Sequence, residues 1–252
     1  MVRTISGAVL VAIIVACILV SRWTMDALAL FIVAVGTCEM GRLQQVDDKR
    51  VMVLVGLTNV VAYLLLAHLV LVFLALPIFM FPFLLALFSK KYDFKTIAAF
   101  ALGSLIFLSL PCAFMAWIHQ FGPEWLLLVF VILWTNDTFA YLTGRLLGKH
   151  KLFERISPGK TIEGSIGGLV FTLVGIIVFS HYVDWLSLGE AIGLGLIAVV
   201  FGTLGDLCES MLKRQAGVKD SGNLIPGHGG VLDRFDSVLL AVPFVYVLLF
   251  LV

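Results

Sequence analysis

Nine windows of about 20 mostly apolar residues follow one another along the chain, and no other feature limits its fold as strongly. That length crosses a ~30 Å hydrocarbon layer as a helix, and a helix satisfies its own backbone hydrogen bonds where no water can. The windows lie at 5–21, 26–41, 51–68, 70–88, 96–118, 125–143, 162–182, 187–208 and 235–252. The third and fourth form one run from Val51 to Phe88, interrupted only by His68, too long for one crossing and suited to a tight hairpin. The expected fold is all-α, a polytopic membrane protein with about nine transmembrane helices. Composition agrees, since 61% of the 252 residues are hydrophobic and 13% charged, whereas soluble domains are roughly 45–50% apolar and about a quarter charged. A soluble enzyme is excluded.

The order of charges gives an orientation, because cytoplasmic loops collect Lys and Arg. With nine helices, Arg3 and the loops after helices two, four, six and eight hold 16 of the 17 basic residues. Only Arg22 falls on the other face. The expectation is a cytoplasmic N-terminus and a C-terminus outside. The apolar start ending Ile14-Val15-Ala16-Cys17 resembles a cleaved signal, but further spans follow, so it reads as helix one. Cys17, Cys38, Cys112 and Cys208 lack C-x-x-C spacing and read as small apolar residues. A net charge of +1 gives no sign of a nucleic-acid partner.

Residues 1–120 read as about five N-terminal helices and 121–252 as a catalytic transmembrane region with two cytoplasmic loops, about 144–161 and 209–234. Both loops are longer than a helix connection requires and hold most of the glycine and charge. Ionisable groups in membrane helices are costly and mark function by default. Asn136 and Asp137 lie about two turns before the inner end of helix six, Asp206 and Glu209 near that of helix eight, Asp233 and Asp236 at the start of helix nine, and Glu163 at the start of helix seven. Carboxylates gathered at one depth would repel each other without a counter-charge. An all-oxygen set points to Mg²⁺, which takes one or two carboxylates and leaves positions for phosphates.

The second loop joins Lys213-Arg214 and Lys219-Asp220 to Gly227-His228-Gly229-Gly230 and Asp233-Arg234-Phe235-Asp236. Cations, exposed backbone N–H groups and metal-binding carboxylates are what a polyphosphate requires. His228 reads as a phosphate donor or a brace of the turn. In the first loop, Ser157-Pro158-Gly159-Lys160-Thr161 reads as a helix start with Ser157 as N-cap and Pro158 at the first helical position. It is not a P-loop, because Glu154 stands where the motif needs glycine. Asn136-Asp137-Thr138 fits a glycosylation sequon but sits inside an apolar window. Ser210-x-x-Lys213 lacks the companion motifs of a serine acyl-enzyme. Gly164, Gly167, Gly168, Gly193 and Gly195 read as close-packing positions between helices.

The run Ser210-x-x-Lys213-Arg214-x4-Lys219-Asp220-x-Gly222-x2-Ile225-Pro226-x-His228-Gly229-Gly230-Val231-x-Asp233-Arg234-Phe235-Asp236 resembles the signature of the phosphatidate cytidylyltransferases. Trp134-x-Asn136-Asp137-Thr138-x-Ala140-Tyr141 and Ser157-Pro158-x-Lys160-Thr161-x-Glu163-Gly164 are similar to other segments of that family, with a departure at Gly159, where the family pattern has Lys or a polar residue. The resemblance covers about 130–240. It implies an enzyme of the bacterial cytoplasmic (inner) membrane that joins CTP and phosphatidic acid to give CDP-diacylglycerol and pyrophosphate, requires Mg²⁺ and forms a homodimer. It carries the metal-binding aspartates onto Asp206 and Asp233. On that footing Asp236 supports the metal, while Lys213, Arg214, Lys219 and Arg234 neutralise the triphosphate. Lys160 holds the lipid phosphate, and Asn136, Asp137, Ser157, Thr161, Asp220, His228, Gly229 and Gly230 contact substrate. The rival readings are a CTP-using enzyme of another lipid, such as a polyprenol kinase or an archaeal-lipid cytidylyltransferase, and a secondary transporter. The last is disfavoured by the absence of an internal repeat and by charges gathered at one end.

Overall fold

A computed structural model of the chain describes residues 2–46, 48–69, 94–224, 227 and 229–251. In chain order the elements are α1 (Val2–Val20), α2 (Arg22–Leu43), α3 (Lys49–Leu64), α4 (Phe94–Ser104), α5 (Leu110–Phe121), α6 (Pro123–Leu147), β1 (Lys151–Phe153), β2 (Ser157–Thr161), α7 (Ile162–Ser180), α8 (Leu188–Gln215) and α9 (Leu232–Leu251). A π turn, Leu105–Ser109, joins α4 and α5 into one span. Eight of the nine apolar windows are therefore helical. The fourth, 70–88, and with it the hairpin expected within Val51–Phe88, lies outside the described residues, so the count of nine is not reached among them. Among the described residues seven spans are long and apolar enough to cross a membrane, and α1 adds the shorter apolar stretch Ile5–Val20. The chain is an all-α, multi-pass membrane protein.

The chain divides into two compact units, one of Met1–Pro123 with Leu212–Phe235, the other of Glu124–Met211 with Asp236–Val252. In the first, α1 turns into α2 at Ser21, whose hydroxyl accepts the Thr24 N–H at 3.2 Å while the Thr24 hydroxyl oxygen accepts the Ser21 N–H at 3.1 Å. This reciprocal cap satisfies two donors that helix ends leave orphaned. Asn59 of α3 then ties three helices together. Its side-chain amide donates to Thr37 of α2 at 3.1 Å and to Ser104 of α4 at 2.8 Å, and its backbone carbonyl accepts the Ser109 hydroxyl at 3.0 Å. In lipid, where apolar contact drives helices together only weakly, such polar cross-links supply specificity. Pro111 has no N–H to return to the preceding turn, and the ladder loosens into the π turn just before it.

The second unit packs through small residues. A Cβ at Gly168 of α7 would stand 2.6 Å from Asn136 Oδ1 and 2.9 Å from both the Asn136 carbonyl and Ala140 Cβ of α6. Gly164 and Gly167 stand in similarly close approaches, as their reading as packing positions expects, whereas at Gly193 and Gly195 a Cβ would meet the tips of the Leu248 and Leu173 side chains, at 3.1 and 2.8 Å. Gly168→Ala should therefore destabilise the protein by about 1–3 kcal/mol, which is a drop of about 3–10 °C in the unfolding midpoint of the purified protein in detergent. An unchanged midpoint would mean that α6 and α7 can part at no cost.

Three local readings need correction. Ser157 is not an N-cap and Pro158 is not the first helical residue, because Ser157–Thr161 is a strand paired antiparallel with Lys151–Phe153. Proline pushes the residue before it toward extended backbone, and the real cap is Thr161, at φ −123° and ψ 153°, whose hydroxyl accepts the Gly164 N–H at 3.1 Å. Second, α6 continues to Leu147, so Asp137 lies about 15 Å before its end rather than two turns. Third, α8 continues to Gln215, so Glu209, Ser210, Lys213 and Arg214 are helical. Charge ends a membrane window, but Glu, Met, Leu, Lys, Arg and Gln are all good helix formers.

Candidate active site

In the second unit a cavity of about 410 Å³ opens among α6, β2, the start of α7 and α8. Its polar lining comes from side chains that the spans would otherwise exclude, among them Asn136, Asp137, Arg145, Lys160 and Asp206. The Lys160 ammonium, carried by β2, meets Asp206 Oδ2 of α8 at 2.6 Å, and both side chains are a little over a quarter exposed. Asp206 Oδ1 accepts the Ser210 hydroxyl at 3.2 Å, one helical turn on. Asn136 is 4% exposed, and its Oδ1 has no hydrogen-bond partner among the described residues. That oxygen lies against Gly168 of α7, and a buried acceptor left without a donor costs free energy.

Ser157 and Thr161 also line this cavity, so six of the proposed substrate and metal residues share it: Asn136, Asp137, Ser157, Lys160, Thr161 and Asp206. Thr161 already spends its hydroxyl oxygen on the α7 cap. Glu163 does not line the cavity. It accepts the Lys149 and His150 N–H groups at 3.1 and 3.2 Å and the His150 ring nitrogen at 2.6 Å, stitching the turn after α6 to the start of α7. Asp236 is half-buried and accepts the Ser237 N–H at 2.7 Å.

In the first unit a second lysine–carboxylate pair is more deeply buried. Lys213 Nζ donates to Asp233 Oδ1 at 2.6 Å, with side-chain exposures of 11% and 3%. Asp233 Oδ2 accepts the Ser221 N–H at 2.8 Å, the Ser221 hydroxyl at 2.9 Å and the Gly230 N–H at 2.8 Å. Gly229, at φ +82°, takes the left-handed conformation that brings this turn round, and a side chain there would also run into Asp233. Arg214 donates to the Val218 carbonyl at 2.9 Å and helps close the end of α8. Arg214, Lys219, Asp220 and Arg234 are exposed. His228 lies outside the described residues.

One residue escaped the sequence reading. Glu39 of α2 is 2% exposed and accepts the Val231 N–H, the Leu232 N–H and the Ser221 hydroxyl, each at 2.9 Å. The signal was available, since an acidic residue inside an apolar window is a functional candidate wherever it occurs.

Among the described residues no three His, Cys, Asp or Glu side chains stand together as a ready metal cage. The donors that are present suit a hard cation sharing its shell with phosphates and water. They are carboxylate and amide oxygens; Asp206 and Asp233 each hold a lysine ammonium at 2.6 Å, and the second oxygen of Asp233 is filled by Ser221 and Gly230, so a cation at either carboxylate takes the place of that ammonium.

The cytidylyltransferase family model matches residues 1–252. The phosphatidate cytidylyltransferases of Staphylococcus aureus (strain COL) and Staphylococcus haemolyticus (strain JCSC1435) are each 46% identical over 153 residues, which is 60% of this chain and 59% of theirs. The corresponding protein of Staphylococcus saprophyticus is 44% identical over 153 residues. The chain thus spans about three fifths of the length of the curated relatives it matches.

Proposed function

This chain belongs to the cytidylyltransferase family, and from that premise we propose that it transfers CMP from CTP to phosphatidic acid, giving CDP-diacylglycerol and pyrophosphate for phospholipid synthesis. The observation that carries the reading is the Lys160–Asp206 pair in a polar cavity within apolar, membrane-length helices. Such a cavity can take a charged headgroup while acyl chains remain in the bilayer. The names of the Staphylococcus relatives support the choice of lipid.

A phosphate-monoester oxygen of phosphatidic acid attacks the α-phosphorus of CTP in line. One P–O bond forms as the α–β P–O bond breaks, and pyrophosphate leaves. Catalysis of such a step is mostly positioning and charge stabilisation. Lys160 binds the lipid phosphate. Lys213, Arg214, Lys219 and Arg234 neutralise the triphosphate and the departing pyrophosphate, with Gly229, Gly230, Asp220 and His228 shaping the same loop. Asn136 and Asp137 orient the substrate in the cavity, with Ser157 and Thr161 at its rim. Asp206 and Asp233, supported by Asp236, are the residues that would hold Mg²⁺. When bound, the ion supplies positive charge to the phosphate oxygens. The protein acts as a homodimer in the bacterial inner membrane, with the N-terminus and the site on the cytoplasmic side.

The test incubates purified protein with phosphatidic acid, Mg²⁺ and each of the four nucleoside triphosphates. CTP alone should yield CDP-lipid and pyrophosphate in equal amounts. Release of CDP would instead mean a kinase, and solute flux in proteoliposomes without CTP consumption would mean a transporter.

A further inference from the structure

We infer that Glu39 is a positioning residue for Asp233, holding from α2 the segment that carries this carboxylate; the inference rests on the cytidylyltransferase reading. A carboxylate 2% exposed inside an apolar helix is costly unless its lone pairs are filled. All three donors seen on Glu39 come from one distant stretch. Oε1 accepts the Val231 N–H, while Oε2 accepts the Leu232 N–H and the Ser221 hydroxyl.

Leu232 opens α9, so the Val231 and Leu232 N–H groups are among the orphan donors at a helix start. Glu39 thus caps α9 from another helix, at the end where the helix dipole favours negative charge. Asp233 grips the same turn from within, through the Gly230 N–H and both donors of Ser221. The Ser221 hydroxyl stands 2.9 Å from Glu39 Oε2 and 2.9 Å from Asp233 Oδ2. It has one proton and can donate to only one of them at a time. The two carboxylates are therefore coupled through a single hydroxyl, and any change at Glu39 is felt at Asp233 Oδ2. Gly222 and Gly230 leave the space this requires, since a Cβ at either would run into the Glu39 carboxylate.

The experiment compares full-length wild type with Glu39→Gln and Ser221→Ala in detergent. It measures amide hydrogen exchange over residues 219–236 and steady-state kinetics with CTP and phosphatidic acid, normalised to folded protein. Glu39→Gln turns an acceptor into a donor facing N–H groups, so exchange at Val231 and Leu232 should rise at least about tenfold. Its kcat should fall by about 10–100-fold, the scale for losing an outer support of an active carboxylate, with KM for phosphatidic acid within about twofold of wild type. Ser221→Ala keeps both N–H bonds to Glu39, so exchange at Val231 and Leu232 should stay near wild type while kcat falls several-fold. Unchanged kcat per folded molecule in Ser221→Ala overturns the inference, even if Glu39→Gln fails to fold. So does unchanged exchange in a folded Glu39→Gln. If wild type makes no CDP-lipid, the functional reading fails separately, and the exchange data alone decide whether Glu39 holds the segment.

Discussion

Asp233→Asn is expected to lower conversion of labelled CTP into lipid product at least about 100-fold, the scale for losing one preorganised electrostatic group at a reacting phosphate. The residue is almost wholly enclosed, with both oxygens engaged by Lys213, Ser221 and Gly230. Removing its charge also leaves the Lys213 ammonium buried without this partner, and breaking a buried pair from one side costs about 3–5 kcal/mol. Lost activity could then reflect lost fold. The double variant Asp233→Asn with Lys213→Met separates the two, because it removes the stranded charge. Its unfolding midpoint should recover toward wild type while its activity stays low. Near-normal activity in a folded Asp233→Asn single variant would reject a direct part for this carboxylate.

Asp206→Asn should show the opposite balance of effects. The Lys160–Asp206 pair has the same 2.6 Å separation, but each side chain is a little over a quarter exposed. A pair reached by solvent contributes about 0–1 kcal/mol, so the midpoint should move by no more than about 4 °C. Product formation should nonetheless fall at least about 100-fold, because Asp206 is one of the carboxylates proposed to hold the Mg²⁺ that supplies positive charge to the substrate phosphates. Product analysis beside a thermal unfolding curve checks both halves. A large loss of stability with activity per folded molecule intact would make the pair a structural brace.

The contrast between these lysine–carboxylate pairs could not be read from residue types alone. Asp206 and Asp233 are both aspartates near the ends of apolar windows, with lysines available in adjoining loops. Their burial differs because Asp233 lies under the turn formed by Ser221 and Gly230, whereas Asp206 borders an open cavity. Helix ends were hard to see for a related reason. Hydropathy reports where the bilayer stops, so the continuation of α8 to Gln215 left no mark in it. The Ser157–Thr161 strand was missed because Ser-Pro fits a helix start as well as an extended segment, and only pairing with Lys151–Phe153 distinguishes them. The acidic and amide groups were identifiable as costly residues in lipid, and Asn136, Asp137 and Asp206 do share one cavity.

Apolar run length and the order of charges are properties along one dimension. They sufficed to establish a multi-pass protein of the all-α class and to single out most of the groups that line its polar regions. Which donor meets which carboxylate was beyond them. Glu39 finds its partners 182 to 193 positions away, and a contact across that separation exists only once the helices between have packed. Folding had to bring Ser221 and the first N–H groups of α9 to Glu39 on α2, because an unfilled carboxylate there would be too costly to keep.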